Sequence, residues 1–183
     1  MNQGMSMARR STMQDTYQDV VIRDWQPSDR HPAAALIGAV LGEYGLAQEA
    51  DGADWDAWNV EAAYWQTGGQ FWVVECQANV VGTAGFYPIN RSVGSVEIRK
   101  MYLHQDVRGK GLGRYLLNAL EQAIALQGYQ QIWIETASVL KEAVRLYETS
   151  GYQRASPGET VRCDLMYVKT LPNLPPPSAP IAR

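Results

Sequence analysis

At 183 residues the chain is long enough to bury one hydrophobic core and gives no reason for a second. Its 46% hydrophobic and 19% charged residues exclude the disordered and collagen-like classes. A formal net charge of -3 offers no overall attraction to phosphate backbones, which excludes a broadly basic nucleic-acid binder and leaves room only for a local basic patch.

Residues 1–18 are polar and aperiodic, and Arg9 and Arg10 are followed by no apolar run. The segment reads as a flexible tail, not a signal peptide or a membrane span, and a cytoplasmic protein without a membrane partner is expected. Residues 19–171 read as the single domain, and the Pro-rich residues 172–183 as a second tail. Val20, Val21 and Ile22 open a short strand, and residues 32–41 an apolar helix. Asp54 is a candidate N-cap for a second helix carrying Trp55, Trp58, Ala62 and Trp65 at helical spacing, ended by Gly68 and Gly69. The β-rich runs 70–76 and 80–87, separated by a short turn, predict an antiparallel hairpin. Residues 95–103 predict a strand with Val96, Ile98, Lys100 and Tyr102 on one face and Glu97, Arg99, Met101 and Leu103 on the other.

The period then changes. Leu112, Leu116, Ala119, Leu120, Ala123 and Ile124 form one face of a helix that Gly128 ends. Residues 131–136 follow as a strand, residues 140–150 as a helix with Leu140, Ala143, Val144 and Tyr147 on one face, and 152–155 and 161–169 as final strands. This order predicts an α/β (α+β) fold: a single mixed, mostly antiparallel sheet of six to seven strands flanked by about four helices. Cys76 and Cys163 lie in strand-like stretches far from a second Cys or a His at ligand spacing, so they read as reduced thiols, and no metal is expected.

Between the third long strand and its helix stands HQDVRGKGLGR, residues 104–114. A strand feeding a glycine-rich turn into a helix N-terminus presents unpaired N–H groups and the positive end of the helix dipole to an anion. Residues 97–114 hold five basic side chains against two acids, so the local charge opposes that of the chain. Lys110 is followed by Gly111 and no glycine stands five residues before Gly109, which argues against a Walker A loop. Gly109, Gly111 and Gly113 are spaced G-x-G-x-G, which argues against a dinucleotide fingerprint.

Arg108, Gly109, Lys110, Gly111, Leu112 and Gly113 together resemble the R/Q-x-x-G-x-G/A pattern of the GNAT superfamily of acetyl-CoA-dependent N-acetyltransferases. EAVRLYETSGY resembles a second signature of that family, and the likeness extends over residues 20–170. The resemblance implies the GNAT fold and acetyl-CoA as cosubstrate. It implies pantetheine pairing along the backbone of Met101, Tyr102 and Leu103, and pyrophosphate binding by Arg108, Gly109, Lys110, Gly111, Leu112, Gly113 and Arg114. Many relatives carry Asn where this chain has Leu140, so coenzyme A either loses a polar contact there or takes it from Ser138, and Leu140 itself reads first as core packing.

The same resemblance assigns Tyr147 as general acid toward the departing thiolate and Glu97 as general base, with a simple ion pair to Arg99 as the competing role for Glu97. It also implies a backbone N–H near Leu103 that polarises the carbonyl. His104 reads as a loop residue and His31 as structural. The acceptor is an amine of a small molecule, amino acid or peptide. The eight acids between Arg23 and Glu61 would suit a cationic one, and a guanidinium at Arg99 would suit an acceptor carboxylate. Nucleic acid is not an expected partner, and a homodimer follows only from family habit. The rival reading is an idle acetyl-CoA-binding sensor of the same fold.

Overall fold

The computed structural model describes residues 12–155 and 162–172. Its strands are β1 Gln14–Tyr17, β2 Val20–Asp24, β3 Gln70–Cys76, β4 Asn79–Ile89, β5 Ser95–Leu103, β6 Gln131–Thr136, β7 Gln153–Arg154 and β8 Leu165–Thr170. Its helices are α1 Arg30–Glu43, α2 Trp55–Trp58, α3 Leu112–Leu126 and α4 Lys141–Thr149. All the strands join one sheet in the order β1-β2-β3-β4-β5-β6-β8-β7. Among the described residues, only β5 and β6 pair in parallel, and α3 is the crossover that parallel neighbours require.

Strand β3 shows why both faces must be covered. Trp72 and Val74 enter one core with α3 and Tyr147 of α4, whereas Phe71 and Val73 enter another with Trp25 and Tyr64. A strand buried on both sides reads as an unbroken apolar run. Helix α3 contributes Leu112, Leu116, Leu117, Leu120 and Ile124 at 3.6-residue spacing. On the opposite face, Ile37 and Leu41 of α1 meet Ala57 and Tyr102. Among the described residues, no helix is long and apolar enough to cross a membrane.

Four expectations change. The N-terminal tail does not extend to residue 18, because Gln14–Tyr17 pairs with β2. Its apolar anchor is Tyr17, whose ring lies 4.4 Å from that of Tyr115. Residues 1–11 of that tail and 173–183 of the other lie outside the described residues. The helix expected after Asp54 is broken: α2 stops at Trp58, and Glu61–Trp65 forms a separate π turn. Asn59 donates its side-chain amide to Trp55 O, a local bond that competes with helix propagation. Trp55, expected on that helix with Trp58 and Trp65, is 45% exposed.

The third change lies in β5, where alternation fails at its centre. The register against β4 shifts between Thr83 and Gly85, and Lys100 adopts φ 52. One extra residue reverses the parity of everything beyond it. Met101 and Leu103 therefore pack against the same core as Val96 and Ile98, while Tyr102 joins the opposite one. Lastly, the final strand begins at Leu165, and Val161, within its expected range, lies outside the described residues.

Candidate active site

The β5 bulge opens the site. Parallel pairing to β6 ends at Ile98 and Ile134, yet β5 stays on β4 through Leu103. Backbone N–H and C=O groups alternate between a strand's two neighbours, so those of Met101 and Leu103 that do not bond β4 face the gap. A left-handed residue with a side chain costs roughly 1–2 kcal/mol. Lys100 is held there by the Thr83 hydroxyl, which donates to its carbonyl at 2.7 Å, and by its own Nζ, 2.7 Å from Asp54 and 3.2 Å from Asp56.

The gap is a cleft of about 400 Å³. Met101, Tyr102 and Leu103 form one wall, Leu140, Ala143, Leu146 and Tyr147 the other, and Arg108, Gly109, Gly111, Gly113 and Arg114 close one end. Gly109 and Gly111 have φ of 75° and 84°, and Gly111 caps α3. The first carbonyl the helix uses is that of Gly111, bonded by Tyr115, so the N–H groups of Leu112, Gly113 and Arg114 have no intrahelical partner. A Cβ on Gly109 would meet nothing within 4 Å. Arg108 donates to Leu103 O and to Glu43, each at 2.7 Å, and its NH2 is buried with no hydrogen-bond partner. Open space, free amides and an unsatisfied guanidinium nitrogen fit a pyrophosphate.

Two of the residues expected at this end stand back from it. Lys110 is exposed and donates to Asp106 O, and Leu112 is a core residue that could offer only its amide. The basic surplus is also smaller at the loop than in the sequence, because Arg99 and Lys100 turn toward Asp56 and Asp54. Leu140 lines the cleft, whereas Ser138 does not, and its N–H donates to Asp164.

Tyr147 sits in the cleft wall, 5% exposed. Burial, helped by Tyr102 and Cys163, pushes its hydroxyl well above the usual tyrosine range, so it stays protonated wherever an amine reacts. A second cavity of about 610 Å³ adjoins the cleft and contains Glu97. Arg99, Lys100, Tyr102, Glu135, Arg162 and Cys163 border both.

Glu97 is not a tight partner of Arg99. Their closest approach is 3.8 Å, whereas Arg99 reaches Asp56 at 3.3 Å, the Tyr87 hydroxyl at 2.7 Å and Ala53 O at 3.0 Å. Burial pushes the Glu97 carboxyl up to about 7; Arg99 and Lys100 oppose this and the charges of Glu135 and Asp56 add to it. A carboxyl poised near neutrality can both accept and release a proton.

Five of the eight acids between Arg23 and Glu61 are spent in ion pairs within the protein, while Glu49 and Asp51 are exposed. Asp29 pairs with Arg23, Glu61 with Arg30, Glu43 with Arg108, and Asp54 and Asp56 with the β5 cations. None of the eight lines either cavity. His104 caps a short turn beside Asp106, and His31 packs edge-on against Trp58. Both thiols are half-buried and unbridged. Sequence reasoning missed Arg91, Glu135, Arg162 and Cys163, which reach the second cavity from three separate segments with no local signature.

Comparison with known proteins bears on the family and the fold. The family model described as Acetyltransferase (GNAT) family matches residues 41–152. The Escherichia coli (strain K12) protein named Uncharacterized N-acetyltransferase YjgM is 37% identical over 140 residues, covering 74% of this chain and 83% of its own. An acetyltransferase of the GNAT family from Staphylococcus aureus superposes with a TM-score of 0.77 at 20% identity, over 84% of this chain and 99% of that one. The yncA protein of Salmonella typhimurium, solved with acetyl-CoA, superposes with a TM-score of 0.65 at 20% identity, over 88% and 99%.

Proposed function

The chain belongs to the GNAT acetyltransferase family and is an acetyl-CoA-dependent N-acetyltransferase, and from that premise we propose that it transfers the acetyl group by direct attack of an amine waiting in the second cavity. Acetyl-CoA supplies an acyl group already activated as a thioester. The amides of Gly109, Gly111, Leu112, Gly113 and Arg114, with the Arg108 side chain, hold its pyrophosphate, and the open edge of Met101, Tyr102 and Leu103 pairs with its pantetheine. Lys110 adds only charge at the rim.

The acceptor nitrogen bonds the carbonyl carbon as the carbon–sulfur bond breaks. Glu97 takes the amine proton, directly or through one water. The Leu103 N–H polarises the carbonyl oxygen, and the Tyr147 hydroxyl donates to the departing sulfur. The observation carrying this reading is that Glu97 and Tyr147 belong to two adjoining cavities with a common wall: one proton acceptor on the amine side, one proton donor on the thioester side.

Tyr147→Phe tests it. The ring and its packing remain, so coenzyme A affinity by calorimetry should hold, while turnover falls by about 10²–10⁴. Turnover within about threefold of wild type when chemistry limits the rate would make Tyr147 a packing residue.

A further inference from the structure

Resting on that transfer reading, the second cavity points to the class of acceptor. Its wall carries four cations, Arg91, Arg99, Lys100 and Arg162, and two acids, Glu97 and Glu135. Lys100 and Arg162 are committed to the fold. Their side chains are 3% and 11% exposed, and Asp54 takes Lys100 at 2.7 Å and both terminal nitrogens of Arg162 at 2.6 and 2.9 Å.

Arg99 differs. It is 27% exposed and uses three donors of the five a guanidinium has: Nε toward Asp56, NH1 toward the Tyr87 hydroxyl and NH2 toward Ala53 O. One N–H remains on each terminal nitrogen, a pair matched to the two oxygens of a carboxylate. Arg91 stands on the same cavity from the β4–β5 loop, 28% exposed, over the Trp133 ring at 4.7 Å and 3.6 Å from Glu135.

Charge then selects among amines. Asp54 and Asp56 already offset Lys100 and Arg162, so the groups a polyamine would meet are Arg99 and Arg91 beside Glu97 and Glu135, and its several positive charges would lie against both guanidinium groups. When the reacting amine gives its proton to Glu97, that wall also loses one of its negative charges. A carboxylate on the acceptor compensates both.

We propose that the acceptor is an aminocarboxylate, an amino acid or similar small molecule, whose carboxylate is held by Arg99 with Arg91 while its amine faces Glu97. Matched acceptors test this with the intact protein: amino acids, the corresponding carboxamides, and the decarboxylated amines, assayed by coenzyme A release. The wild type should favour the carboxylate member of each set by about tenfold or more in kcat/KM. Arg99→Gln and Arg91→Gln should each narrow that gap chiefly through KM of the carboxylate acceptor.

Equal kcat/KM within the matched sets of the wild type overturns the proposal, as does a preference that survives both substitutions. If Arg99→Gln fails to fold, the wild-type sets and Arg91→Gln still decide. If acetyl-CoA binds but none of the amines liberates coenzyme A from it, the transfer reading itself fails, and the acceptor class falls with it.

Discussion

Glu97 is where burial and charge decide chemistry. A carboxyl raised from 4.5 to about 7 is protonated below neutrality and cannot take the amine proton there. The wild-type kcat/KM should climb through about pH 7, and Glu97→Gln should lose that limb. The deficit should be largest between neutrality and the acceptor's own pKa and shrink above it, where the amine is already neutral. Profiles of identical shape would remove Glu97 as base. Stability gives a second readout. The folded pKa is the higher one, so between pH 4.5 and about 7 the folded protein keeps a proton that the unfolded chain has lost. Its stability therefore declines with rising pH across that window, and Glu97→Gln should flatten the decline in urea titrations.

At the scale of elements, the β1–β2 hairpin bonds to the glycine-rich loop before α3. Tyr17 donates its hydroxyl to Lys110 O at 2.9 Å, Gln18 donates to the same carbonyl at 3.3 Å, and Asp15 accepts from the Tyr115 hydroxyl at the start of α3. Tyr17→Phe keeps the ring on Tyr115 and deletes one hydrogen bond, typically about 0.5–1.5 kcal/mol. Coenzyme A should bind more weakly by roughly two- to tenfold in calorimetry, with a fall of about a few degrees in melting temperature, and unchanged affinity would show the bond to be idle. Gly111→Glu is the harsher case. Its φ is 84°, its Cβ would lie 2.7 Å from the Tyr17 hydroxyl, and the new charge would repel phosphate. It should abolish coenzyme A binding in a folded protein. The loop was legible because glycines and basic residues mark it locally. The hairpin was not, since Gln14–Tyr17 shows no apolar alternation and its strand exists through its neighbours. Nor was the β5 bulge: one inserted residue changes no composition, yet it sends Arg99 and Lys100 together toward Asp56 and Asp54.

For the whole molecule, Asp54 joins segments that are remote in sequence. Its carboxylate takes Lys100 from β5, both terminal nitrogens of Arg162 from the approach to β8, and the Glu49 N–H from its own loop. These bonds fix Arg162 and, beside it, Cys163 in the wall between the cavities. Burial by itself would raise the Asp54 carboxyl, but the hydrogen bonds from Arg162 and the charge of Lys100 outweigh it and hold the group well below its ordinary 3.8. The folded pKa is the lower one, so this stabilisation is fully present above about pH 3.8 and is lost as pH falls toward the folded value. Asp54→Asn leaves Lys100, 3% exposed, with Asp56 as its remaining acid, and breaking a buried pair from one side commonly costs about 3–5 kcal/mol. The urea midpoint should therefore fall sharply at pH 7, the difference from wild type should narrow in acid, and the acceptor KM should rise because the cavity wall is released. A midpoint difference that stayed constant from pH 7 into strong acid would mean that Asp54 contributes shape and not charge, and that packing alone holds the wall.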